Sequence, residues 1–333
     1  MDLFKLTRTL IDIPSTTGEE TAVAHFLESY LKDLGYKVEF QTVEGERGNI
    51  IATTKAPPRI VFSTHLDTVP PHIPSSEDDQ MIFGRGACDA KGILAAQISA
   101  AEKLRASGVD EIGLLFTVDE EMGSAGAAVA NQHEKARDCR YLINGEPTDN
   151  YLAVGTKGSL RLKIVAEGRS AHSAYPEHGE SAIEKLLLVL GDVRNCDWPN
   201  DPFFGETTCN IGTIHGGTRP NVIPERAEAA LQIRLVTEAS RVKAMLENVI
   251  NGRARIEYLS VHNPVRLLSV NRFSECVVRF TTDIPFLSNW GKPLLLGPGS
   301  ILDAHTANEQ IAKTELERAV DLYVQLAETL LRS

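Results

Sequence analysis

Three short apolar runs in the chain are each followed closely by carboxylates or histidine. The runs start at Ile60, Ile112 and Tyr141. The acidic and histidine residues that follow them are His65, Asp67, Glu120, Glu121 and Glu146. Helical segments separate the runs, and this alternation predicts an α/β domain with a mostly parallel sheet flanked by helices. Sites in such sheets form beyond the carboxyl ends of the strands, so we expect these side chains to gather at one edge.

The adjacent acids Glu120 and Glu121 suggest a division of tasks at that edge. Successive side chains of an extended segment point in opposite directions, so one acid can bind a cation while the other acts on what the cation activates. A solvated acidic loop is the simpler alternative for an isolated pair. Likewise, Asp89 alone would be interpreted as a helix N-cap, and His65 alone as a hydrogen-bonded core or loop histidine.

Composition excludes several functional classes. The chain has 333 residues, of which 42% are hydrophobic and 24% charged, as is ordinary for a globular protein of about two domains. Its formal net charge of −11 argues against nucleic acids and anionic membranes as partners, because both require clustered Lys and Arg. The five cysteines form no CxxC pair, and the amino-terminal segment lacks the apolar core of a signal peptide. We therefore expect a cytoplasmic protein that does not span a membrane.

The pattern of the sequence changes after about residue 155. Leu160, Leu162 and Ile164 alternate with polar residues, which predicts a strand with one wet face. The elements predicted from there onward follow the order βαββαβ, an α+β ferredoxin-like layout with an antiparallel sheet. We predict a discontinuous first domain at 1–154 and 263–333, interrupted by an inserted domain at 155–262. Near the amino terminus, Thr17 and Glu20 predict a capping box for the first long helix.

Two histidines and several carboxylates, without a thiolate, form a ligand set that suits zinc, cobalt or manganese in a catalytic role. Seven motifs accompany this set in chain order: HLDTVP at 65–70, GRGACDAKG at 84–92, DEE at 119–121, GEPT at 145–148, SAHSAYPEHG at 170–179, NVIPERAEAALQIR at 221–234 and GPGSILDAH at 297–305. On these motifs the chain resembles the co-catalytic dinuclear zinc amidohydrolases and peptidases over nearly its whole length. That family includes acetylornithine deacetylase, succinyl-diaminopimelate desuccinylase, aminoacylase and glutamate carboxypeptidase.

The resemblance implies a dinuclear metal centre in the first domain, which would be the catalytic one. His65 and Glu146 would hold one ion, Glu121 and His305 would hold the other, and Asp89 would bridge the two. The implied cofactors are two Zn²⁺ per chain, with Co²⁺ or Mn²⁺ as possible substitutes. A pair of ions ~3.5–4 Å apart can activate a water molecule and polarise a carbonyl, which an amide requires because it is a poor electrophile.

The resemblance also assigns the catalytic side chains. Glu120 would be the general base, Asp67 would orient His65, and His172 of the inserted domain would reach the substrate carbonyl, often in the other subunit's active site. A cis peptide bond is implied between Asp89 and Ala90, although relatives often carry Met after the bridging Asp.

Substrate-binding residues are less constrained. Arg234 lies on the polar face of its predicted strand, and it could clamp a substrate carboxylate or pair with a neighbouring acid on the surface. Asn221 matches a family position that faces the substrate. The backbone N–H groups of Gly297, Gly299 and Ser300 could form an anion-binding nest, with a plain turn as the alternative.

The predicted activity is metal-dependent hydrolysis of the amide bond of a small N-acyl amino acid. The segment GPGSILDAH resembles acetylornithine deacetylases most, which predicts N-acetylornithine as substrate and a place in arginine biosynthesis. Alternatives of the same class are succinyl-diaminopimelate desuccinylase, a carrier-linked lysine or ornithine hydrolase, and a dipeptidase or carboxypeptidase. An alternative of another class is a metal-stabilised dimeric binding protein without catalysis. We also expect a homodimer that forms through the inserted lid or dimerisation domain, because its antiparallel sheet should expose an edge.

Overall fold

The computed structural model describes residues 2–54 and 56–332. Its α-helices are α1 Leu3–Asp12, α2 Thr21–Asp33, α3 Lys91–Ala106, α4 Ala125–Ala130, α5 Ala182–Arg194, α6 Ala239–Ile250 and α7 Lys313–Leu331. Its β-strands are β1 Lys37–Glu44, β2 Arg47–Thr53, β3 Ile60–His65, β4 Ser76–Glu77, β5 Met81–Phe83, β6 Ile112–Thr117, β7 Tyr141–Asn144, β8 Leu152–Thr156, β9 Gly158–Glu167, β10 Ala171–His172, β11 Asn200–Asp201, β12 Gly205–Glu206, β13 Thr208–Gly216, β14 Val222–Ile223, β15 Arg226–Leu235, β16 Arg255–His262, β17 Val265–Arg266, β18 Glu275–Val278, β19 Lys292–Leu295 and β20 Gln310–Ala312. Among these described helices, none combines the length and the apolarity that crossing a membrane requires.

The first of two compact units comprises Met1–Val154, Leu267–Cys276 and Thr282–Ser333. Its sheet has the order β1-β2-β6-β3-β7-β19-β8. The four middle strands, β6, β3, β7 and β19, run parallel, whereas β2 and β8 are antiparallel to their neighbours. The predicted α/β class with a mostly parallel central sheet is therefore confirmed.

Both faces of this sheet are covered. Phe62 and Leu114 belong to a core with residues of α2, α3 and α7, whereas Val61 and Leu115 belong to a second core with α4 and Trp290. Every residue of β3 and β6 is buried as a result. Apolar side chains on both faces are what a strand covered by helices requires. Burial on both sides leaves the strand ends as the places where polar side chains can emerge.

The second unit comprises Gly155–Arg266 and Val277–Thr281. Its antiparallel sheet has the order β13-β15-β9-β16. Helices α5 and α6 share a hydrophobic core with one face of this sheet, through residues that include Leu160, Leu162 and Ile164. With α5 after β9 and α6 after β15, the predicted βαββαβ order is present.

The second unit extends past the predicted limit at residue 262. Strand β17 pairs with Gly155 and Thr156 of β8, and this pairing holds Val265–Arg266 in the unit. The assignment of catalysis to the first unit, and of a lid or dimerisation role to the second, remains a prediction.

The predicted capping box of α2 is wrong. Helix α2 begins at Thr21, and its N-cap Glu20 makes no capping hydrogen bond. The Glu20 carboxylate instead accepts hydrogen bonds from Arg47, at 2.7 Å from Nε and 2.8 Å from Nη2. Thr17 Oγ1 donates to Asp67 Oδ2 at 2.8 Å. Tertiary partners thus take both side chains away from the helix terminus.

Candidate metal centre and active site

The carboxyl ends of the parallel strands carry the predicted site residues. His65 is the last residue of β3, Glu120 and Glu121 follow the end of β6 at Thr117, and Glu146 follows the end of β7 at Asn144. Each of these strands is buried, and parallel pairing brings their ends to one edge of the sheet.

The carboxylate of Asp89 lies between two histidines. Its Oδ1 is 3.0 Å from His65 Nε2, and its Oδ2 is 3.3 Å from His305 Nε2. His305 Nε2 also lies 2.8 Å from Glu121 Oε1. The Asp89–Ala90 peptide bond is cis, as the resemblance implies, and α3 has Ala90 as its N-cap. The interpretation of Asp89 as a helix cap is therefore wrong.

The residues present fit divalent cations. His65, Asp89 and Glu121 each offer a ligand atom, and these atoms lie within 4.8 Å of one another. Glu146 Oε2 is 3.9 Å from His65 Nε2, while its Oε1 is buried without a hydrogen-bond partner. A buried carboxylate oxygen without a donor is costly, and a cation bound there would offset that cost.

The electrostatics of the site favour the same interpretation. Burial and the neighbouring Glu146 raise the pKa of Glu120 well above its usual range. Burial and the charge of Asp89 likewise raise the pKa of Glu146, although His65 opposes this shift. Burial raises the pKa of Asp89, but the close contacts with His305 and His65 outweigh burial and lower it. Several acids crowded in one buried site repel each other, and positive charge among them would relieve that repulsion.

Asp67 has a wider role in the geometry than the resemblance implies. The Nδ1 of His65 donates to the backbone oxygen of Asp67 at 2.9 Å, which leaves Nε2 free to bind a cation. The Asp67 carboxylate is farther from that ring, at 3.4 Å. Its oxygens accept the backbone N–H groups of Glu120 and Glu121, each at 3.1 Å. Asp67 thus holds the turn that carries both acids, and Thr17 in turn holds Asp67.

A second set of contacts supports the turn that carries Glu120 and Glu121. The sequence did not predict these contacts. Asp119 has a φ of 71°, in the left-handed region. Arg47 Nη2 donates to Asp119 Oδ1 at 3.1 Å, and the backbone N–H of Asp119 donates to Glu20 Oε1 at 3.2 Å. The half-buried Arg47 therefore links the turn to α2, and no sequence pattern links these distant positions.

One N–H group of the predicted anion nest at Gly297 and Gly299 is used within the chain. The N–H of Gly297 donates to Thr148 Oγ1 at 3.0 Å. A Cβ on Gly297 would lie 2.4 Å from the backbone oxygen of Glu146. The N–H of Gly297 is thus not available to an anion, and Gly297 allows the close approach of two backbones. A substrate-binding role for Gly297 and Gly299 remains a prediction.

Ser300 is the third residue of the predicted nest, and its hydrogen bonds do not support a nest. Its Oγ accepts a hydrogen bond from the Leu302 N–H at 3.5 Å, and its backbone oxygen accepts the Asp303 N–H at 3.0 Å. These are the contacts of a turn, the alternative to the predicted nest. A substrate-binding role for Ser300 remains a prediction.

His172, Asn221 and Arg234 belong to the second unit. His172 is exposed, and its Nδ1 accepts the N–H of Ala174 at 3.1 Å, so the neutral ring carries its proton on Nε2. The backbone oxygen of Asn221 accepts the N–H of Ser173 at 3.1 Å, next to His172. Arg234 is half-buried, and its guanidinium has no hydrogen bond or ion pair with any described residue.

Asp283 and Glu309 are buried acids of the first unit that the sequence did not single out. Asp283 Oδ2 accepts a hydrogen bond from Thr117 Oγ1 at 2.7 Å. Burial raises the pKa of Asp283 to about 6, although hydrogen bonds from Thr117 and Ser124 oppose the shift. Neither acid follows an apolar run. Such a run was the sequence signal that pointed to Glu120, Glu121 and Glu146.

Comparison with known proteins identifies the family. The model of peptidase family M20/M25/M40 matches residues 61–329. The chain belongs to this family. A Paracoccidioides brasiliensis (strain Pb18) protein named "Probable carboxypeptidase" is 38% identical over 378 residues, which cover 99% of this chain and 86% of the relative. Membership makes the protein a metallo-hydrolase that acts on amide bonds.

Solved structures share the fold. The aminopeptidase PepT of Bacillus cereus aligns with a TM-score of 0.80 at 22% identity, covering 99% of this chain and 98% of its own. A Bacillus subtilis protein described as a dinuclear metal binding peptidase from the M20 family aligns with a TM-score of 0.71 at 15% identity, covering 98% of both chains. At these identities the likeness supports the fold alone.

Proposed function

We propose that the protein is a dinuclear metallo-carboxypeptidase, which hydrolyses the amide bond that joins an acyl or aminoacyl group to an amino acid with a free α-carboxylate. The observation that carries this proposal is the Asp89 carboxylate, whose two oxygens face His65 and His305. Glu146 and Glu121 stand beside these histidines. His65, Asp89 and Glu146 would hold one divalent cation, and Asp89, Glu121 and His305 would hold the other.

Bound cations would polarise the scissile carbonyl and make the attacking water more acidic. The Glu120 carboxylate takes one proton from that water as the C–O bond forms. Glu120 then delivers the proton to the leaving nitrogen as the C–N bond breaks. Asp67 keeps Glu120 in place by accepting its backbone N–H, at 3.1 Å. The resemblance to the family suggests that His172 would stabilise the developing oxyanion by a hydrogen bond from its Nε2–H, with the proton remaining on the ring.

A free carboxylate on the substrate suits the unpaired guanidinium of Arg234. Arginine binds carboxylates through two parallel N–H donors, and burial strengthens that interaction. The named function of the Paracoccidioides relative supports the same substrate class. N-acetylornithine, other N-acyl amino acids and dipeptides all belong to this class, and nothing in the site favours N-acetylornithine among them. Zinc is proposed as the native metal on the ligand set, with cobalt or manganese as substitutes.

The proposal is tested by a release assay on matched substrates, with zinc or cobalt added. We expect cleavage of dipeptides and N-acyl amino acids, N-acetylornithine included, and at least ~10-fold lower kcat/KM for carboxyl-terminal amides, which lose a charged hydrogen-bond partner. Arg234→Met should remove most of this difference. Equal turnover of acids and amides would contradict carboxypeptidase specificity. Two tightly bound metals without turnover on any substrate would favour an inert binding protein.

We also propose a homodimer that forms through the second unit. Strand β13 lies at one edge of its sheet, with Ile214 exposed, and Leu187 and Leu188 are exposed on α5. Free strand edges and exposed leucines are both typical of contacts between copies. Light scattering should give twice the mass of one chain, and Leu187→Glu with Leu188→Glu should give a monomer. A fully active wild-type monomer would rule the dimer out.

The cytoplasmic location expected from the sequence remains a prediction, which cell fractionation would test.

A further inference from the structure

The carboxylate of Glu309 is buried in the turn that precedes Asp89. Its Oε1 accepts three backbone N–H groups, from Gly86 at 2.9 Å, from Cys88 at 3.3 Å and from Asp89 at 3.1 Å. Its Oε2 accepts a hydrogen bond from Arg85 Nη1 at 2.6 Å. The side chain of Glu309 is 0% exposed, and that of Arg85 is 2% exposed.

Converging N–H groups form a concave anion site. Gly86, with a φ of 90°, helps to shape this turn. The chain fills the site with its own anion, from a segment more than 200 positions away, and Arg85 balances the charge. Without that anion, three buried N–H groups would lack an acceptor, which is costly.

Glu309 also joins two parts of the metal centre. It lies four positions after His305, and its own backbone oxygen accepts the N–H of Gly84 at 3.0 Å. One end of the turn is therefore held by the Glu309 backbone, and the other end, at Asp89, is held by its carboxylate. This connection ties the His305 segment to the residue whose two oxygens face the two histidines.

We propose that Glu309 is a positioning residue of the metal centre, which sets the affinity and geometry of metal binding through Asp89 without touching substrate. The inference rests on the proposed metal site, and Glu309 itself is no ligand. An ion pair that only stabilised the fold would lower stability when removed, yet would leave the metal environment unchanged. Metal binding by itself therefore separates the two roles.

The test is a Co²⁺ titration of the metal-free protein, followed by visible absorption. Glu309→Gln keeps the shape of the side chain but replaces one acceptor oxygen by a donor group. We expect a dissociation constant about 10- to 100-fold higher and an altered cobalt spectrum, since residues that orient ligands have effects of this size. Glu309→Asp keeps the carboxylate and should recover part of the affinity. With metal at saturation, KM should stay near that of the wild type.

Two further variants separate positioning from stability. Leu27→Ala removes a buried side chain of α2 that belongs to the main hydrophobic core. It should lower the thermal midpoint and leave the cobalt affinity within ~2-fold, a change smaller than the effect of displacing a ligand. If Glu309→Gln does not fold, the double variant Arg85→Gln/Glu309→Gln removes both buried charges and should show the same loss of affinity.

Wild-type affinity and spectrum in Glu309→Gln, or in the double variant, would overturn the positioning role. A wild-type protein that binds no Co²⁺ would overturn the proposed metal site together with it. Normal cobalt binding by the wild type without hydrolysis of any substrate would instead count against the proposed function alone.

Discussion

Glu120→Gln is expected to lower kcat by about 10²- to 10⁴-fold, the usual contribution of a positioned general base. Glutamine has the shape of glutamate but cannot accept a proton from water. The Glu120 backbone N–H still donates to Asp67 Oδ1, so the turn should keep its conformation. Metal content and KM should therefore change little. Steady-state kinetics and metal analysis on the same preparation would measure both quantities.

The matched control for this variant is Glu46→Gln. Glu46 is an exposed acid of the same unit that is not among the predicted site residues, and its replacement makes the same change in net charge. We expect wild-type kinetics from it. A near-normal kcat in Glu120→Gln would contradict the assignment of Glu120 as the general base. Loss of metal from Glu120→Gln would instead identify Glu120 as a ligand.

Asp89→Asn is expected to abolish tight binding of both metal ions, because Asp89 is the only carboxylate proposed to contact both. Its two oxygens face His65 and His305, at 3.0 Å and 3.3 Å. An amide keeps one oxygen and presents a donor group in place of the other, which repels a cation. The loss of affinity should exceed the ~10–100-fold typical of residues that only orient ligands. Metal content after dialysis is the measurement.

Variants that remove a proposed ligand of only one ion provide the internal comparison. Glu146→Gln should affect only the ion shared with His65, and Glu121→Gln only the ion shared with His305. Each should retain about one tightly bound metal per chain, as expected when two ions are held by separate ligand sets around one bridge. Two retained metals in Asp89→Asn, or none in either glutamine variant, would contradict the bridging assignment.

Several ligand candidates could be located from the sequence because the parallel sheet determines their meeting point. His65 ends a buried strand, Glu121 and Glu146 follow two others of the same sheet, and parallel strands end at the same edge. Their clustering therefore needs only the order of apolar runs along the chain. The residues that hold those ligands in place follow no such order. Thr17 holds Asp67, and Glu309 holds the turn before Asp89, across 50 and 220 positions of the chain.

Local sequence signals failed where a tertiary partner competed for the same polar group. The capping box at Thr17 and Glu20 has the right spacing, yet Asp67 and Arg47 bind these side chains. Gly297 belongs to a segment with the composition of an anion nest, yet its N–H group donates to Thr148. A buried polar group binds whichever partner the fold brings near, and spacing alone does not reveal that partner.

The sequence by itself determined the α/β class, the inserted βαββαβ unit and the set of acids and histidines that gathers around Asp89. The first two features depend on periodicity and on strand order, which are properties of the chain read along its length, whereas the roles of Asp89 and His305 were implied by the resemblance to a known family. Only the tertiary structure decided which oxygen of Asp89 faces which histidine, how Asp67 holds Glu120 and Glu121, and that Glu309 fills the turn before Asp89. These contacts join distant segments over distances near 3 Å, and only the packed chain specifies them.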